Sequence, residues 1–197
     1  MANVDAAFGL KPIRHFNGSP WNGATKKFLV EDNYGTAIFV GDPVVITGSA
    51  GTDDALGHYS PVAVIAGNTD AEVITGVVVS IDPILTDLTK THIPAATGGY
   101  VNVCVDPTVV YIIQDDAIAT LDGASIGANA LIVSGTGSAV TGLSAFELDA
   151  AETPAANASY NCTILGVHNK EGNTIGVNCI WEVLLNVSYN YDNSLGV

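Results

Sequence analysis

The sequence predicts an all-β domain, an antiparallel sandwich or small barrel, with an extended N-terminal arm. Val, Ile and Thr number 56 of the 197 residues, whereas Leu numbers only 13, and β-branched side chains favour pleated strands over helices. Apolar and polar residues alternate with a period of two in several segments, such as residues 100–105, as in half-buried strands. The 21 Gly and 8 Pro are spread along the whole chain, which indicates many tight turns.

Residues 1–25 differ from the rest of the chain because they combine small, polar and turn residues with isolated large apolar ones. Pro12, Gly18, Pro20 and Gly23 interrupt any period, so we expect an extended arm that is neither strand nor helix. Its large apolar side chains must be buried somewhere. A partner subunit is one candidate, and the alternative is that the arm folds back onto its own domain as an edge strand.

Residues 26–190 form the predicted β domain, and residues 191–197 form a C-terminal tail. Short apolar runs bounded by turn residues predict the strands, at residues 28–30, 37–40, 44–47, 61–66, 73–81, 100–105, 109–114, 127–133, 141–148, 162–168 and 177–187. The two longest polar connections predict loops, at residues 48–58 and 82–99. We expect residues 109–114 to pair with residues 100–105, and residues 162–168 to form a hairpin with residues 177–187.

Charge is distributed unevenly along the chain. The net charge is −14, but residues 1–30 carry +3 and the remainder −17, since Lys11, Arg14, Lys26 and Lys27 are four of the six bases. An acidic body repels phosphate backbones, and four bases are too few for strong nucleic-acid binding at physiological salt. A basic arm on an acidic body is instead suited to an acidic protein surface.

The cysteines and the apolar runs bear on the compartment in which the protein works. Cys104, Cys162 and Cys179 are an odd number and lie in apolar runs, which predicts small buried hydrophobic side chains rather than a disulfide framework. No apolar run has the length of a signal peptide or of a membrane span. We therefore expect a protein that is made and assembled in a cytoplasm and has no membrane partner.

The search for catalytic or metal-binding patterns is mostly negative. Residues 123–127 match the G-x-S-x-G pattern around Ser125, but residues 128–133 predict a loop and a strand, whereas a nucleophile elbow needs a helix there. The four histidines are His15, His58, His92 and His168, and their spacing excludes local metal-ligand motifs. We therefore expect no enzyme activity, no metal and no cofactor.

Several segments carry a resemblance to a known family. They are AFGLKPIRHFNGSPWNG at residues 7–23, AIFVGDPV at 37–44, GANA at 127–130, TGLS at 141–144, ILGV at 164–167 and NTIGVNCIWEV at 173–183. The first is similar to an F-G-L-x-P-x-R-H-x-x-G-x-P-x-N-G opening. Together they resemble a family of tailed-bacteriophage head decoration, or cement, proteins, which are encoded beside the major capsid protein. The closing segment has fewer basic residues than that family usually shows.

The resemblance implies a non-enzymatic β protein on the outer surface of the virion, made in the host cytoplasm. The implied partners are the major capsid protein and neighbouring copies of this chain, as a dimer or trimer. Both the resemblance and the charge of the arm predict a capsid or subunit interface on the basic and large apolar residues of the arm and the first strand, namely Phe8, Lys11, Ile13, Arg14, Phe16, Trp21, Lys26 and Lys27.

Two other functions are compatible with the sequence. A β-sandwich can bind carbohydrate or a host receptor through its loops, and the predicted loops at residues 48–60 and 82–99 would offer Tyr59 and Tyr100 as aromatic platforms. A hydrolase that combines Ser125 with a distant histidine is the less favoured alternative.

Overall fold

The computed structural model describes residues 3–48, 59–119 and 121–187. These residues form an all-β fold whose antiparallel sheets pack as a sandwich, as the sequence predicts. The only helical segment described is a single 3-10 turn at Gly123–Ser125. The described strands are, in chain order, β1 (Lys11–His15), β2 (Lys26–Val30), β3 (Pro43–Ile46), β4 (Val62–Val64), β5 (Gly76–Ile81), β6 (Gly99–Cys104), β7 (Val109–Gln114), β8 (Asn129–Ala130), β9 (Ile132–Val133), β10 (Glu147–Leu148), β11 (Cys162–Val167) and β12 (Ile180–Leu185).

Two five-stranded sheets make up the sandwich. The first, sheet A, has the order β1-β7-β12-β11-β8, and the second, sheet B, has the order β2-β6-β5-β3-β4. β9 and β10 form a separate two-stranded ribbon. Sheet B is so strongly curled that its two edge strands approach each other. The N–H of Leu29 on β2 donates to the carbonyl of Ser60, which lies just before β4.

The apolar residues form two clusters that result from this arrangement. The larger cluster lies between the sheets around the fully buried Trp181 and Tyr111. The smaller cluster fills the concave side of sheet B around Phe28 and Ile93. β5 serves both clusters because successive side chains of a strand point to opposite faces: Val77 belongs to the first and Val78 to the second.

The predicted hairpin near the end of the domain is confirmed, whereas the other predicted strand pair is wrong. β11 pairs with β12 through five registered residue pairs, interrupted by a bulge between Ile164 and Gly166. β6, in contrast, pairs with β2 and β5, and β7 pairs with β1 and β12. The short turn at Asp106, whose carboxylate accepts from the backbone N–H of Thr108, leads the chain from sheet B into sheet A.

The prediction that residues 1–25 contain no strand is also wrong. Lys11–His15 forms β1 and pairs antiparallel with β7 at the edge of sheet A. Leu10, just before this strand, is 1% exposed and belongs to the core between the sheets. A sequence interrupted by proline still forms an edge strand, because an edge residue whose N–H faces outward needs no ladder partner. The alternative of an arm folded onto its own domain therefore describes these residues.

Some of the segments predicted from sequence are outside the described residues. They are the loop at residues 48–58 except for residue 48, and the tail at residues 191–197. His58 falls in the same category. The predicted strand at residues 37–40 is present only as isolated bridges, from Ile38 to Ile93 and from Val40 to Leu143.

Candidate functional site

A groove of about 400 Å³ lies beside β1, where the two sheets approach each other. Three of the residues predicted to form an interface line it, and these are Phe8, Lys11 and Trp21. The other lining residues are contributed by both sheets and by three loops, and they are Leu10, Pro12, Val40, Gly41, Val78, Val79, Ile112, Leu143, His168, Lys170 and Ile180. We call this set the arm groove.

Glycine makes the wall of the arm groove possible. Gly9 has φ of 72°, and a Cβ atom at this position would lie 2.5 Å from the Cβ of Ser144 and 2.6 Å from the carbonyl oxygen of Gly41. Because Gly9 has no side chain, the next residue, Leu10, can donate its N–H to that carbonyl at 2.9 Å. This contact joins the arm to the turn that precedes β3 and so fixes the position of Phe8.

The floor of the arm groove is apolar and comes from strands that are distant in sequence. Ile112 of β7 and Ile180 of β12 lie on the outer face of sheet A, while Val79 lies at a bulge of β5 in sheet B. Trp21 closes one side and packs against the core between the sheets. An apolar concave surface with a few polar groups at its rim is the usual form of a binding site.

The electrostatics of the arm groove are opposite to those of the whole chain. Its lining contains Lys11, Lys170 and His168 but neither aspartate nor glutamate, although the chain has 20 acidic residues and 6 basic ones. Both lysines are exposed. Neither takes part in an ion pair within the described part of the chain. The arm groove is thus a basic, apolar concavity on an acidic protein.

A charged cluster lies next to the arm groove on the outer face of sheet A. Arg14 donates to Glu182 Oε2 at 2.6 Å, and His168 Nδ1 lies 3.0 Å from Glu182 Oε1. Burial raises the pKa of Glu182, but the hydrogen bonds from His168 and Arg14 outweigh burial and hold that pKa below its ordinary value. Arg14 therefore stabilises the position of β1 within its own chain.

The arm groove continues in two directions. A second cavity of about 360 Å³ shares Phe8, Lys170 and Ile180 with it and extends towards Val4. A third, of about 280 Å³, shares Val40 and Val79 and extends towards the loop that carries Leu88, Lys90 and Thr91.

Exposed apolar side chains lie at this last end. Leu85 and Val140 are each 90% exposed, on two loops that meet where Thr91 Oγ1 donates to the carbonyl of Ala139 at 3.5 Å. A continuous concave surface flanked by exposed apolar groups is typical of sites that bind another macromolecule.

The remaining predicted interface residues lie elsewhere. Ile13 is half-buried on β1, and Phe16 is 60% exposed just after it. Lys26 and Lys27 are on β2, an edge strand of sheet B. Lys27 donates to Asp82 Oδ2 at 2.6 Å, and the Lys26 ammonium lies 5.3 Å from the centroid of the Phe28 ring. Of the eight predicted residues, three therefore line the arm groove and Arg14 lies in the charged cluster next to it. The other four do not line it.

Sequence reasoning missed several members of the arm groove, above all Lys170, Ile180, Val79 and Leu143. Each belongs to a segment that looks like an ordinary strand or turn on its own. They meet only because β5, β7 and β12 lie side by side near the arm, which is a property of the sheet order. The surplus of acidic residues could have drawn attention to Lys170, since it is one of only two basic residues after residue 30.

Ser125 has a structural role in this fold. It lies in the 3-10 turn, where Asp122 and Ser125 form a capping box: Asp122 Oδ1 accepts from the Ala124 N–H at 2.9 Å, and Ser125 Oγ accepts from the Asp122 N–H at 3.4 Å. The residues after it lead into β8 rather than into a helix. The strand–serine–helix geometry of a nucleophile elbow is not formed here.

The described residues include no group of three or more His, Cys, Asp or Glu side chains that could hold a metal ion. The three cysteines are buried and free. Burial raises the pKa of Cys162 to about 12 and that of Cys179 to about 11. These thiols are therefore protonated at neutral pH, unlike the thiolates of reactive cysteines.

The structure does bring Tyr59 and Tyr100 together. Their ring centroids lie 5.4 Å apart in an edge-to-face arrangement, and the Lys27 ammonium lies 5.5 Å from the centroid of the Tyr100 ring. Asp82 accepts from both Lys27 and Asn102 beside them. This group is an aromatic and polar surface on sheet B, separate from the arm groove.

Comparison with protein-family models, with characterised proteins and with solved structures finds no match to this chain. In the described residues, no helix has the length and apolar character needed to cross a membrane.

Proposed function

We propose that this protein is a bacteriophage head decoration, or cement, protein that binds the outer surface of the major capsid shell and bridges neighbouring capsomers. The observation that carries the proposal is the arm groove, a basic and apolar concavity without acidic residues on a chain of net charge −14. A protein that adheres to a shell needs a rigid domain and an adhesive surface rather than a catalytic centre. The sequence resemblance supports the same function.

Four of the six segments that carry the resemblance contribute residues to the arm groove, which gives further support. Gly9 of the first segment lies against Gly41 of the second and Ser144 of the fourth. Val40 donates to the carbonyl of Gly142, and Ser144 donates to the carbonyl of Val40. Residues far apart in sequence thus build one local structure, and the partners that we propose for it are the major capsid protein and other copies of this chain, as a dimer or trimer.

The proposal is tested by co-sedimentation of the purified protein with empty shells assembled from the major capsid protein alone. We expect saturable binding that weakens as salt is added, since exposed charges are screened. The double variant Lys11→Glu/Lys170→Glu should bind about tenfold or more weakly. Thr153→Glu is the control for added negative charge, because Thr153 is exposed and lines neither the arm groove nor the cavities that continue it.

Absence of co-sedimentation at low salt would refute the proposal. Equal loss of binding in the control variant would refute the role of the arm groove. Charge reversal at exposed lysines is a better test than deletion of residues 1–24, because that deletion would remove Leu10 from the core and β1 from sheet A.

Carbohydrate or host-receptor binding on the virion surface is the second candidate, and the paired Tyr59 and Tyr100 rings favour it. Aromatic faces stack on sugar rings, and Asp82, Asn102 and Lys27 could bond to hydroxyl groups. A glycan-binding screen with the wild-type protein and Tyr100→Ala is the test. Binding that the substitution abolishes would support this candidate, and absence of binding to every glycan would exclude it for the glycans screened.

A further inference from the structure

We propose that the arm groove binds an extended acidic peptide segment, which inserts one large apolar side chain between Phe8, Trp21 and Ile180 and places carboxylates at Lys11 and Lys170. The inference rests on the proposed function in one respect, since that function makes the segment part of the shell protein.

The shape of the arm groove favours an extended chain. The cavity of about 400 Å³ and its neighbour of about 360 Å³ share Phe8, Lys170 and Ile180. Each has the volume of a small-ligand pocket, for which about 300–1,000 Å³ is usual. A segment of several residues can occupy both, whereas one side chain can fill only part of the first.

The charge of the arm groove selects an acidic occupant. Lys11 and Lys170 line the first cavity with no carboxylate beside them in the lining, and neither has an ion-pair partner among the described residues. The second cavity is lined by Glu171 as well as Lys170, so the carboxylates of the segment belong in the first cavity. A second copy of this chain would bring its whole net charge of −14 against an equally acidic protein, whereas a short acidic segment brings only a few carboxylates. Complementary charge increases the association rate and determines which partner is accepted.

The apolar residues of the arm groove favour a segment that carries a large apolar side chain. The apolar lining includes Phe8 and Trp21 from the arm and Ile180 from β12. Val79 and Leu143 line the same cavity. Polar side chains alone would lose their hydration here without gaining hydrogen bonds. A leucine or phenylalanine in the segment would bury apolar surface, and aromatic residues in such a pocket are frequent hot spots of binding.

Recognition through side chains is favoured over addition of a strand to sheet A. The outer edge of β1 is already partly occupied, because Arg14 forms a bridge to Pro20 and His15 donates to the carbonyl of Ser19. Pro12 has no backbone N–H to offer to an added strand.

The fluorescence of Trp21 reports on the arm groove directly. The chain has two tryptophans, and Trp181 is 0% exposed in the core, so a ligand in the arm groove perturbs Trp21 alone. The probes are three blocked eight-residue peptides with phenylalanine near the centre. One alternates glutamate with leucine, one has glutamine in place of glutamate, and one has lysine in place of glutamate.

We expect the glutamate peptide to shift the emission of Trp21 in a saturable manner. The glutamine peptide should bind about tenfold more weakly and the lysine peptide not measurably, because a charge pair at each lysine is lost or reversed. Lys11→Glu/Lys170→Glu should abolish binding of the glutamate peptide, and Thr153→Glu, at an exposed site that lines none of these cavities, should leave it within about twofold of wild type.

Three results would overturn the inference. The first is no emission change up to about 5 mM glutamate peptide, a concentration at which even weak complexes form. The second is equal affinity for the glutamate and glutamine peptides. The third is a dimer in sedimentation velocity that excludes the peptide and that Lys11→Glu/Lys170→Glu dissociates, because the occupant would then be a second copy of this chain.

The peptide experiment and the shell experiment fail independently. Binding to shells without binding of the glutamate peptide would overturn this inference and leave the proposed function in place. Binding of the glutamate peptide without binding to shells would leave the acidic-segment site in place and refute the proposed function.

Discussion

Arg14 Nη2 and Glu182 Oε2 are 2.6 Å apart although their strands are not neighbours. β7 lies between β1 and β12, so the arginine side chain crosses the outer face of a whole strand to reach the carboxylate. The pair therefore holds the edge strand to the centre of sheet A independently of the backbone ladder.

The first prediction concerns this pair. Arg14→Met should lower the free energy of unfolding by about 1 kcal/mol, because a partly exposed ion pair contributes little but its loss leaves Glu182 with His168 alone. Urea denaturation at low and high salt measures the effect. A double-mutant cycle with Glu182→Gln should give a coupling energy clearly above zero, and full additivity of the two substitutions would contradict the role of the pair.

The second prediction concerns the close approach at Gly9. Gly9→Ala should destabilise the protein by about 3 kcal/mol or more, because it adds a steric overlap with Gly41 and Ser144 to the cost of a left-handed backbone. Gly18→Ala is the matched control: Gly18 has φ of 88° but no atom within 4 Å of an added Cβ, so only about 1 kcal/mol should be lost. Equal effects of the two substitutions on urea denaturation would show that packing at Gly9 is not tight.

The third prediction concerns the buried carboxylate of Asp115. It is 0% exposed, and its Oδ2 accepts from Trp181 Nε1 at 3.0 Å and from the Cys179 N–H at 3.1 Å, while Oδ1 accepts from the N–H groups of Asn178 and Ala117. Burial raises the pKa of Asp115 despite these bonds. Asp115→Asn places an NH₂ group against two donors, which it cannot accept from. The substitution should therefore lower the free energy of unfolding by about 2–3 kcal/mol.

The control for this substitution is Asp122→Asn. Asp122 caps the 3-10 turn by accepting from Ala124, and asparagine and aspartate cap helices about equally well. Asp122→Asn should lower the free energy of unfolding by less than about 0.5 kcal/mol. Thermal denaturation of both variants at one pH provides the comparison, and a similar loss in the two would contradict the importance of the Asp115 network.

The fourth prediction concerns pH and Asp42. Burial raises the pKa of this carboxyl to about 6, although hydrogen bonds from Ser144 and the Phe39 N–H act in the opposite direction. The folded state therefore binds this proton more tightly than the unfolded state. Stability should increase as the pH falls from 7.5 to 5, by about 1 kcal/mol from this group.

Asp42→Asn should make the pH dependence shallower over this interval, as measured by urea denaturation. Burial and the nearby Asp5, Asp116 and Asp115 raise the pKa of Glu147 to about 7. Glu147 therefore also makes the protein more stable as the pH falls, but its partial exposure to solvent reduces the effect. Asp42→Asn/Glu147→Gln should be nearly independent of pH between 7.5 and 5. An unchanged slope in that double variant would show that other groups control the pH dependence.

The all-β class and most of the strand positions were predictable because they depend on local patterns, although β1 was missed and the predicted strand at residues 37–40 is present only as isolated bridges. The β11–β12 hairpin, for example, results from two apolar runs around the polar turn near Lys170. Pairing between β6 and β7 was predicted wrongly because β6 contacts both clusters, with Val103 in the smaller one and Cys104 in the larger one. Alternation alone does not specify which sheet such a strand joins.

The candidate site was only partly predictable for a related reason. The apolar residues of the arm marked Phe8 and Trp21 as residues in need of a partner surface, and the structure places both in the arm groove. Val79, Leu143 and Ile180 reach the arm groove only through long-range contacts, which no local pattern encodes. Arg14 and Lys27 were expected to face a partner, but charged side chains in a chain with so many acids find carboxylates of their own.

The crossing of the arm between the sheets also determines how this domain would bear a load. The N–H of Leu10 donates to the carbonyl of Gly41 in the turn before β3 of sheet B, and four of the next five residues pair with β7 of sheet A. Tension applied to the arm groove through a bound partner would therefore be divided between both layers of the sandwich. Detachment of β1 alone would not release the arm, because the buried Leu10 side chain and the Gly9–Gly41 contact would still have to separate from the core.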